Sequence, residues 1–181
     1  MELTDFIKVY DDVLSKDECD QFIKIFEEGG GIGKRNYYND TLRFTQYWVP
    51  YSPFTKSIRD KIRNIQSEYC YDMNKFLDCN VFPRKCELER FKIKKYVPKK
   101  NDEFKTHVDS IDLLSCQRFL SCLVYLNDVE EGGKTVFNDD FEIEPKVGRL
   151  IIFPPLWLYP HSGKSPISNP KYILGTYLRY T

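Results

Sequence analysis

The sequence predicts an α+β domain that is mainly β, with antiparallel strands forming a sandwich or rolled barrel backed by helices near the N-terminus. Three observations carry this expectation. Two segments ahead of Pro83 place apolar residues at helical spacing. After Pro83 the texture changes to β-branched and aromatic runs cut by Gly, Pro, Asn and Asp. Helical patterns do not alternate with those runs, which disfavours a parallel sheet built from βαβ units. The 181 residues suit one domain, spanning 1–181.

The first helix is expected from Lys16 to Glu28. Cys19, Phe22, Ile23 and Phe26 share one face, and Ser15 stands three residues before Glu18 in a capping-box pattern. The run GGGIG, 29–33, then breaks it. The stretch from Ser52 to Leu77 gives a second helix, with Ile58, Ile62, Ile65 and Tyr69 on one side. The strand candidates follow in order: ELERFKIKKYV, RFLSCLVYLN, GKTVF, GRLIIFP and KYILGTYLRYT.

Composition narrows the function classes. Apolar residues make up 41% and charged residues 30%, so the chain is globular and not disordered. Acids and bases balance at 27 each, which gives no reason to expect nucleic-acid or membrane-surface binding. No apolar run approaches the roughly 18 residues of a membrane span. The N-terminus shows neither a basic region nor an apolar h-region, so a cytoplasmic protein is expected. The six cysteines form no C-x-x-C and none adjoins a histidine; all are read as reduced thiols. Cys79 and Cys86, flanking a Pro-containing loop, are the pair most able to bridge.

The chain has only two histidines. His107 stands in FKTHVDSID with Asp109 two residues on, and His161 stands in LYPHSGKSP. Two imidazoles and one carboxylate are the ligand set that leaves half an octahedron open at non-haem Fe(II). H-x-D suits a strand end, where residues i and i+2 point the same way. Taken alone, either histidine could equally be a polar residue satisfied by its neighbours.

The surroundings resemble the prolyl 4-hydroxylase branch of the Fe(II)/2-oxoglutarate dioxygenases. HSGKSPISNPK is similar to the family's H-x-G-x-x-V-x-x-G-x-K signature, with His161, Gly163 and Lys171 in place, Ile167 for Val and Asn169–Pro170 replacing the Gly step. RFLSCLVYLNDVEEGGKTVF resembles the R-x-x-T-x-L-x-Y-L-N-D-V-x-x-G-G-x-T-x-F segment, with Ser121 for Thr. GRLIIFP, the opening YDDVLSKDECDQFI and KIKKYVPKKNDEFKTHVDS resemble further family segments, so the likeness runs over nearly the whole chain.

That resemblance implies a double-stranded β-helix (jelly-roll, cupin-like) core with N-terminal supporting helices. It implies His107, Asp109 and His161 as iron ligands and Lys171 as the cation for the distal carboxylate of 2-oxoglutarate. Tyr125 and Ser121 are implied to help hold that carboxylate, and Tyr96 to line its pocket. The activity implied is hydroxylation of a peptidyl proline, with O₂, decarboxylation of 2-oxoglutarate to succinate and CO₂, and ascorbate as reductant. Related halogenases carry Gly or Ala where Asp109 stands, which favours hydroxylation. The family's Y-x-P-G is YVPKKNDEF here, without the glycine.

A proline-containing peptide or protein is the expected substrate, bound by a monomer. Arg35, Tyr37, Tyr38, Arg43 and Trp48, in a stretch expected to form a mobile loop and strand over the mouth, are candidates to grip an extended chain. Arg90, Lys92 and Lys94 share a strand face with Tyr96. They either favour an acidic substrate or form a solvated edge. Two other classes stand beside this reading: a non-catalytic binding module of the same fold, and a zinc hydrolase, which would leave Lys171 unexplained. Succinate release separates all three.

Overall fold

Strand burial decides the layering. The computed structural model describes residues 1–29 and 34–181, apart from the Lys99 side chain. Its strands are β1 (Lys8–Tyr10), β2 (Lys34–Tyr38), β3 (Arg43–Trp48), β4 (Cys86–Leu88), β5 (Lys92–Tyr96), β6 (Phe104–His107), β7 (Arg118–Tyr125), β8 (Thr135–Phe137), β9 (Phe141–Ile143), β10 (Leu150–Phe153), β11 (His161–Gly163) and β12 (Lys171–Tyr180). The helices are α1 (Lys16–Glu28) and α2 (Pro53–Leu77).

Eight strands form the major sheet, in the order β1-β10-β7-β12-β5-β3-β2, with β4 also pairing β12. Four form the minor sheet, β6-β11-β8-β9, and every pairing is antiparallel. The two sheets make the double-stranded β-helix core that the resemblance implied.

The central strands of the major sheet are covered on both faces, so they read as unbroken apolar runs instead of alternating ones. On β7, Leu120, Cys122 and Val124 face the helices, where they meet Phe22, Phe26, Ile58, Ile62 and Tyr69. Tyr125 of the same strand faces the minor sheet with Ile151, Phe153 and Ile173, against Phe137 and Ile143. The period of two thus divides one strand between two cores. Each fully buried Phe or Ile contributes about 1.5–3 kcal/mol, and together they hold the sheets as a stiff frame.

Both helices begin where the capping residues place them. The Glu18 amide donates to Ser15 Oγ at 3.2 Å, and the Ser15 amide donates back to Glu18 Oε2 at 2.9 Å. Ser52 caps α2, with Pro53 in its first turn.

The stretch expected to be a mobile loop and strand is in part a regular hairpin. β2 and β3 pair over Lys34–Tyr38 and Arg43–Trp48 and extend the edge of the major sheet through β5. Gly30 to Gly33 lie outside the described residues. All six cysteines carry free thiols, Cys79 and Cys86 among them. Among the described residues, no helix is long and apolar enough to cross a membrane.

Candidate active site

The cavity lies between the two sheets, and its chemistry begins with a strand register. β6 and β11 are neighbours in the minor sheet, and His107 stands directly opposite His161. That single register brings together two residues 54 positions apart, with ring centroids 4.3 Å from each other. Asp109 lies just past the end of β6 and completes the group. Its Oδ1 is 3.6 Å from His107 Nε2 and its Oδ2 is 3.8 Å from His161 Nε2. One ligand atom from each residue lies within 4.8 Å of the others.

The second nitrogen of each ring decides what the first can do. His107 Nδ1 is 2.8 Å from the Lys105 carbonyl and His161 Nδ1 is 3.1 Å from the Tyr159 carbonyl. A carbonyl only accepts, so each Nδ1 carries a proton and each ring turns its Nε2 inward. As metal donors, the two Nε2 atoms present their lone pairs to the same space as the carboxylate. A cation in that space satisfies all three, so the donor set fits a divalent metal.

Burial and charge agree with this. Burial pushes the His161 pKa down to about 4, outweighing the attraction of Asp109, so the ring is a neutral donor at pH 7. Burial works against ionised Asp109, but positive charge on its neighbours, a proton shared with the His161 and His107 rings and then Lys94, outweighs it and holds the carboxyl well below the usual range, which is the same demand for a cation at this point. Phe104 stacks flat on His107, with centroids 3.3 Å apart at 8°, while Phe137 and Phe153 wall His161.

The major sheet orients the carboxylate. Ser121 Oγ donates to Asp109 Oδ2 and Tyr177 Oη donates to Oδ1, each at 3.0 Å. Ser121 and Tyr177 are register partners on β7 and β12, so one cross-strand pair grips both oxygens. Arg118 adds a hydrogen bond of 3.1 Å to the Asp109 carbonyl and lies 3.9 Å over the Tyr177 ring. Tyr177→Phe is expected to keep the fold and to lower divalent-metal affinity by about ten- to a hundredfold, the usual cost of losing an outer-shell partner. Calorimetric titration with Mn(II) checks this.

Against the cavity wall formed by Tyr96 and Gly163, at the end away from Asp109, lies a buried cation. Lys171, 0% exposed, opens β12 opposite Tyr96 of β5. Its Nζ donates to the Gly133 and Lys164 carbonyls at 2.8 and 3.0 Å and lies 4.5 Å over the Tyr96 ring. Among the described residues no carboxylate pairs with it. Burial, and then the charge of Lys94, pushes its pKa down to about 7. A dicarboxylate is the chemistry that answers an unpaired buried ammonium. Gly163 lies against both groups: a Cβ there would stand 3.7 Å from Lys171 Nζ and 3.8 Å from the Tyr96 hydroxyl, in ordinary contact.

The structure brings together His107, Asp109, His161, Tyr96 and Lys171. It separates Ser121 from Tyr125, whose hydroxyls share a strand face but have different partners. Ser121 serves Asp109 and is not beside Lys171. The Tyr125 hydroxyl is 2.6 Å from Thr135 Oγ1 and 3.3 Å from the Ile143 carbonyl, so it supports Thr135, which lines the cavity. Thr135, Tyr177 and Phe104 are site residues that sequence reasoning misses. Thr135 belongs to a matched motif, but nothing in a strand pattern tells which hydroxyl reaches the cavity.

Strand parity divides the five hairpin candidates. Tyr38 and Arg43 are register partners on the face turned toward the helix layer, with Thr45 and Tyr47. Arg35, Tyr37 and Trp48 have the opposite parity and share the cavity face with Phe44 and Gln46. Arg43 and Tyr38 therefore face away from the cavity, whereas Trp48 sits under Lys92, whose Nζ is 4.7 Å from its ring centroid. Lys92 and Lys94 line the cavity and are not a solvated edge.

Residues 91–179, which run from just before β5 to near the end of β12, match the sequence model of the 2OG-Fe(II) oxygenase superfamily. That stretch belongs to the superfamily. As a 2OG-Fe(II) oxygenase it is a dioxygenase using Fe(II), 2-oxoglutarate and O₂. The fold is also similar to solved prolyl hydroxylases. A viral collagen prolyl hydroxylase from Paramecium bursaria Chlorella virus-1 is 24% identical with a TM-score of 0.72, covering 97% of each chain. A Pseudomonas putida prolyl-4-hydroxylase is 16% identical with a TM-score of 0.70, covering 97% of this chain and 93% of that one. A Trichoplax adhaerens prolyl hydroxylase, solved with a hypoxia inducible factor oxygen degradation domain peptide fragment, is 15% identical with a TM-score of 0.72, covering 97% and 84%. No curated protein sequence matches the chain.

Proposed function

We propose that this oxygenase hydroxylates a prolyl residue within a peptide or protein, with Fe(II) on His107, Asp109 and His161 and 2-oxoglutarate anchored by Lys171. The carrying observation is the pairing, in one cavity, of an inward-facing His–Asp–His donor set with an uncompensated buried lysine. A hydrolytic zinc site would use the first and leave the second without purpose. When bound, the iron and 2-oxoglutarate supply the oxidising power by decarboxylating the cosubstrate to succinate and CO₂.

The chain's own residues position and shield that chemistry. Lys171 neutralises the far carboxylate of the cosubstrate, and Tyr96 and Thr135 form the wall beside it. Tyr125 fixes Thr135 from behind. Ser121 and Tyr177 each hold one oxygen of Asp109, which fixes the plane of the carboxylate that would bind the metal. Phe104, Phe137 and Phe153 keep water from the imidazoles and confine oxidation to the substrate side. Ascorbate is proposed as the reductant that restores ferrous iron.

Two features support a peptide over a free amino acid. The loops that bracket the metal ligands carry bare apolar side chains: Ile111, Leu113 and Leu114 after Asp109, and Trp157 before His161, are 77%, 85%, 84% and 75% exposed. The loops are tied to each other by the Ser110 amide and the Pro155 carbonyl at 3.1 Å. Exposed apolar side chains on loops next to the metal ligands suit a chain that extends beyond the cavity. The solved prolyl hydroxylases of similar fold, one of them with a peptide, give the second support.

The test runs Fe(II), 2-oxoglutarate and O₂ with proline-containing peptides and, in parallel, with free proline, reading succinate and the mass of the product. Peptides are expected to gain one oxygen at proline and free proline none. An oxygen gained by free proline, with no peptide modified, refutes the peptide reading and leaves the metal site standing.

A further inference from the structure

The cavity holds more positive charge than its metal and cosubstrate consume. Four cations, Lys92, Lys94, Arg118 and Lys171, surround two carboxylates, Glu89 and Asp109. A divalent metal and a dicarboxylate cancel each other, so two cations remain uncompensated. Arg118 is satisfied, because it holds Glu89 through two bonds of 2.7 and 3.1 Å. Lys92 shares that same Glu89 at 3.8 Å. Lys171 is the cosubstrate's partner. Lys94 is left.

Its situation differs from that of its neighbour on the strand. Lys95 points to the other face of β5 and meets Glu27 of α1 at 2.7 Å. Lys94 lines the cavity, with its Nζ 4.6 Å from the Phe104 ring centroid and 5.0 Å from that of Phe44. Phe104 in turn stacks on His107, so the ammonium is one ring away from a metal ligand. No carboxylate lies within ion-pair distance of Lys94 among the described residues, and Gly30 to Gly33 bring no acidic side chain. Two aromatic faces position a cation but do not neutralise it. Burial pushes its pKa down only to about 8, which leaves it mostly charged at pH 7.

We infer that the substrate carries a carboxylate beside the residue that is oxidised, and that Lys94 binds it, with Lys92 adding charge on the same wall. The inference rests on the oxygenase reading of this cavity and names its substrate class: an acidic peptide segment. On the register, Lys94 stands opposite Ile173, two residues from the Tyr96–Lys171 pair in the direction of Lys92 and Tyr177. It therefore lies on the cavity wall between the cosubstrate anchor and the metal end.

The experiment uses the full chain, folded and free of metal, and fluorescently labelled peptides with one proline flanked by Glu, by Gln or by Lys. Binding is read by anisotropy and turnover by mass spectrometry on the loaded enzyme. The Glu peptide is expected to bind about ten- to a hundredfold more tightly than the Gln peptide, the range of a charge-assisted contact. Lys94→Gln and Lys94→Met, whose methylenes keep the packing against Phe44 and Phe104, are expected to erase that difference. Cosubstrate affinity, measured separately with Mn(II), is expected to stay within a fewfold. No preference for Glu, no binding of any peptide, or a preference that survives in both variants overturns the inference. So does a loss confined to 2-oxoglutarate, which would make Lys94 a second cosubstrate cation. An acidic peptide that binds through Lys94 but gains no oxygen at proline upholds the inference and refutes the prolyl reading alone.

Discussion

Replacing His161 with alanine is expected to abolish succinate formation and to weaken divalent-metal binding by more than about a hundredfold, beyond the usual cost of an outer-shell loss. The reason is geometric. His161 contributes one of two Nε2 lone pairs aimed at Asp109, and its ring is locked by the Tyr159 carbonyl and by Phe137 and Phe153. A truncated side chain leaves a space among aromatic rings, and among the described residues no further His, Cys, Asp or Glu joins the group. Calorimetry with Mn(II) reads the metal, and circular dichroism establishes that the fold persists. Wild-type turnover in the His161→Ala variant would remove the proposed metal site. Asp109→Gly is expected to lose hydroxylation as well and would additionally free Ser121 and Tyr177.

Lys171→Ala is expected to lower 2-oxoglutarate affinity by about two to four decades, because losing one partner of a buried ion pair costs roughly 3–5 kcal/mol. Its pH dependence gives a second readout. In the free enzyme Lys171 has a pKa lowered to about 7, so it is cationic below that pH and neutral above it. The dicarboxylate binds the cation and raises that pKa. Affinity is therefore highest below about pH 7 and falls as the pH rises through it, by at most about tenfold per pH unit for one proton. The alanine variant is expected to lose this slope. Tyr125→Phe should act more weakly, since its hydroxyl meets Thr135 and the Ile143 carbonyl and not the cavity directly. An alanine variant that binds 2-oxoglutarate as the parent does, with the same pH slope, would place the anchor elsewhere.

Local chemistry makes both helices legible in the amino-acid sequence. Ser15 with Glu18 marks the start of α1, and Ser52 with Pro53 marks the start of α2, because caps are short-range hydrogen-bond patterns written in neighbouring residues. The buried strands β7, β10 and β12 are legible as apolar runs. β9 and the β2–β3 hairpin are not. Phe141–Ile143 is three residues long and half exposed, and the hairpin strands KRNYY and RFTQYW carry no clean alternation.

The donor types, their order along the chain and the presence of Lys171 ten residues beyond His161 are all carried by the sequence. Those are covalent facts, and a motif of fixed spacing preserves them. Which hydroxyl meets which carboxylate depends instead on how the sheets come together. Ser121 and Tyr125 have the same parity, yet one lies across from Tyr177 at the metal end and the other lies across from Ile173 near the cosubstrate end. Four residues of strand separate them by about 13 Å, a distance that has meaning only once β12 and the minor sheet are in place. The same holds for Lys92 and Lys94: alternation puts them on the face of Tyr96, but only the opposing sheet turns that face from a solvated edge into a cavity wall.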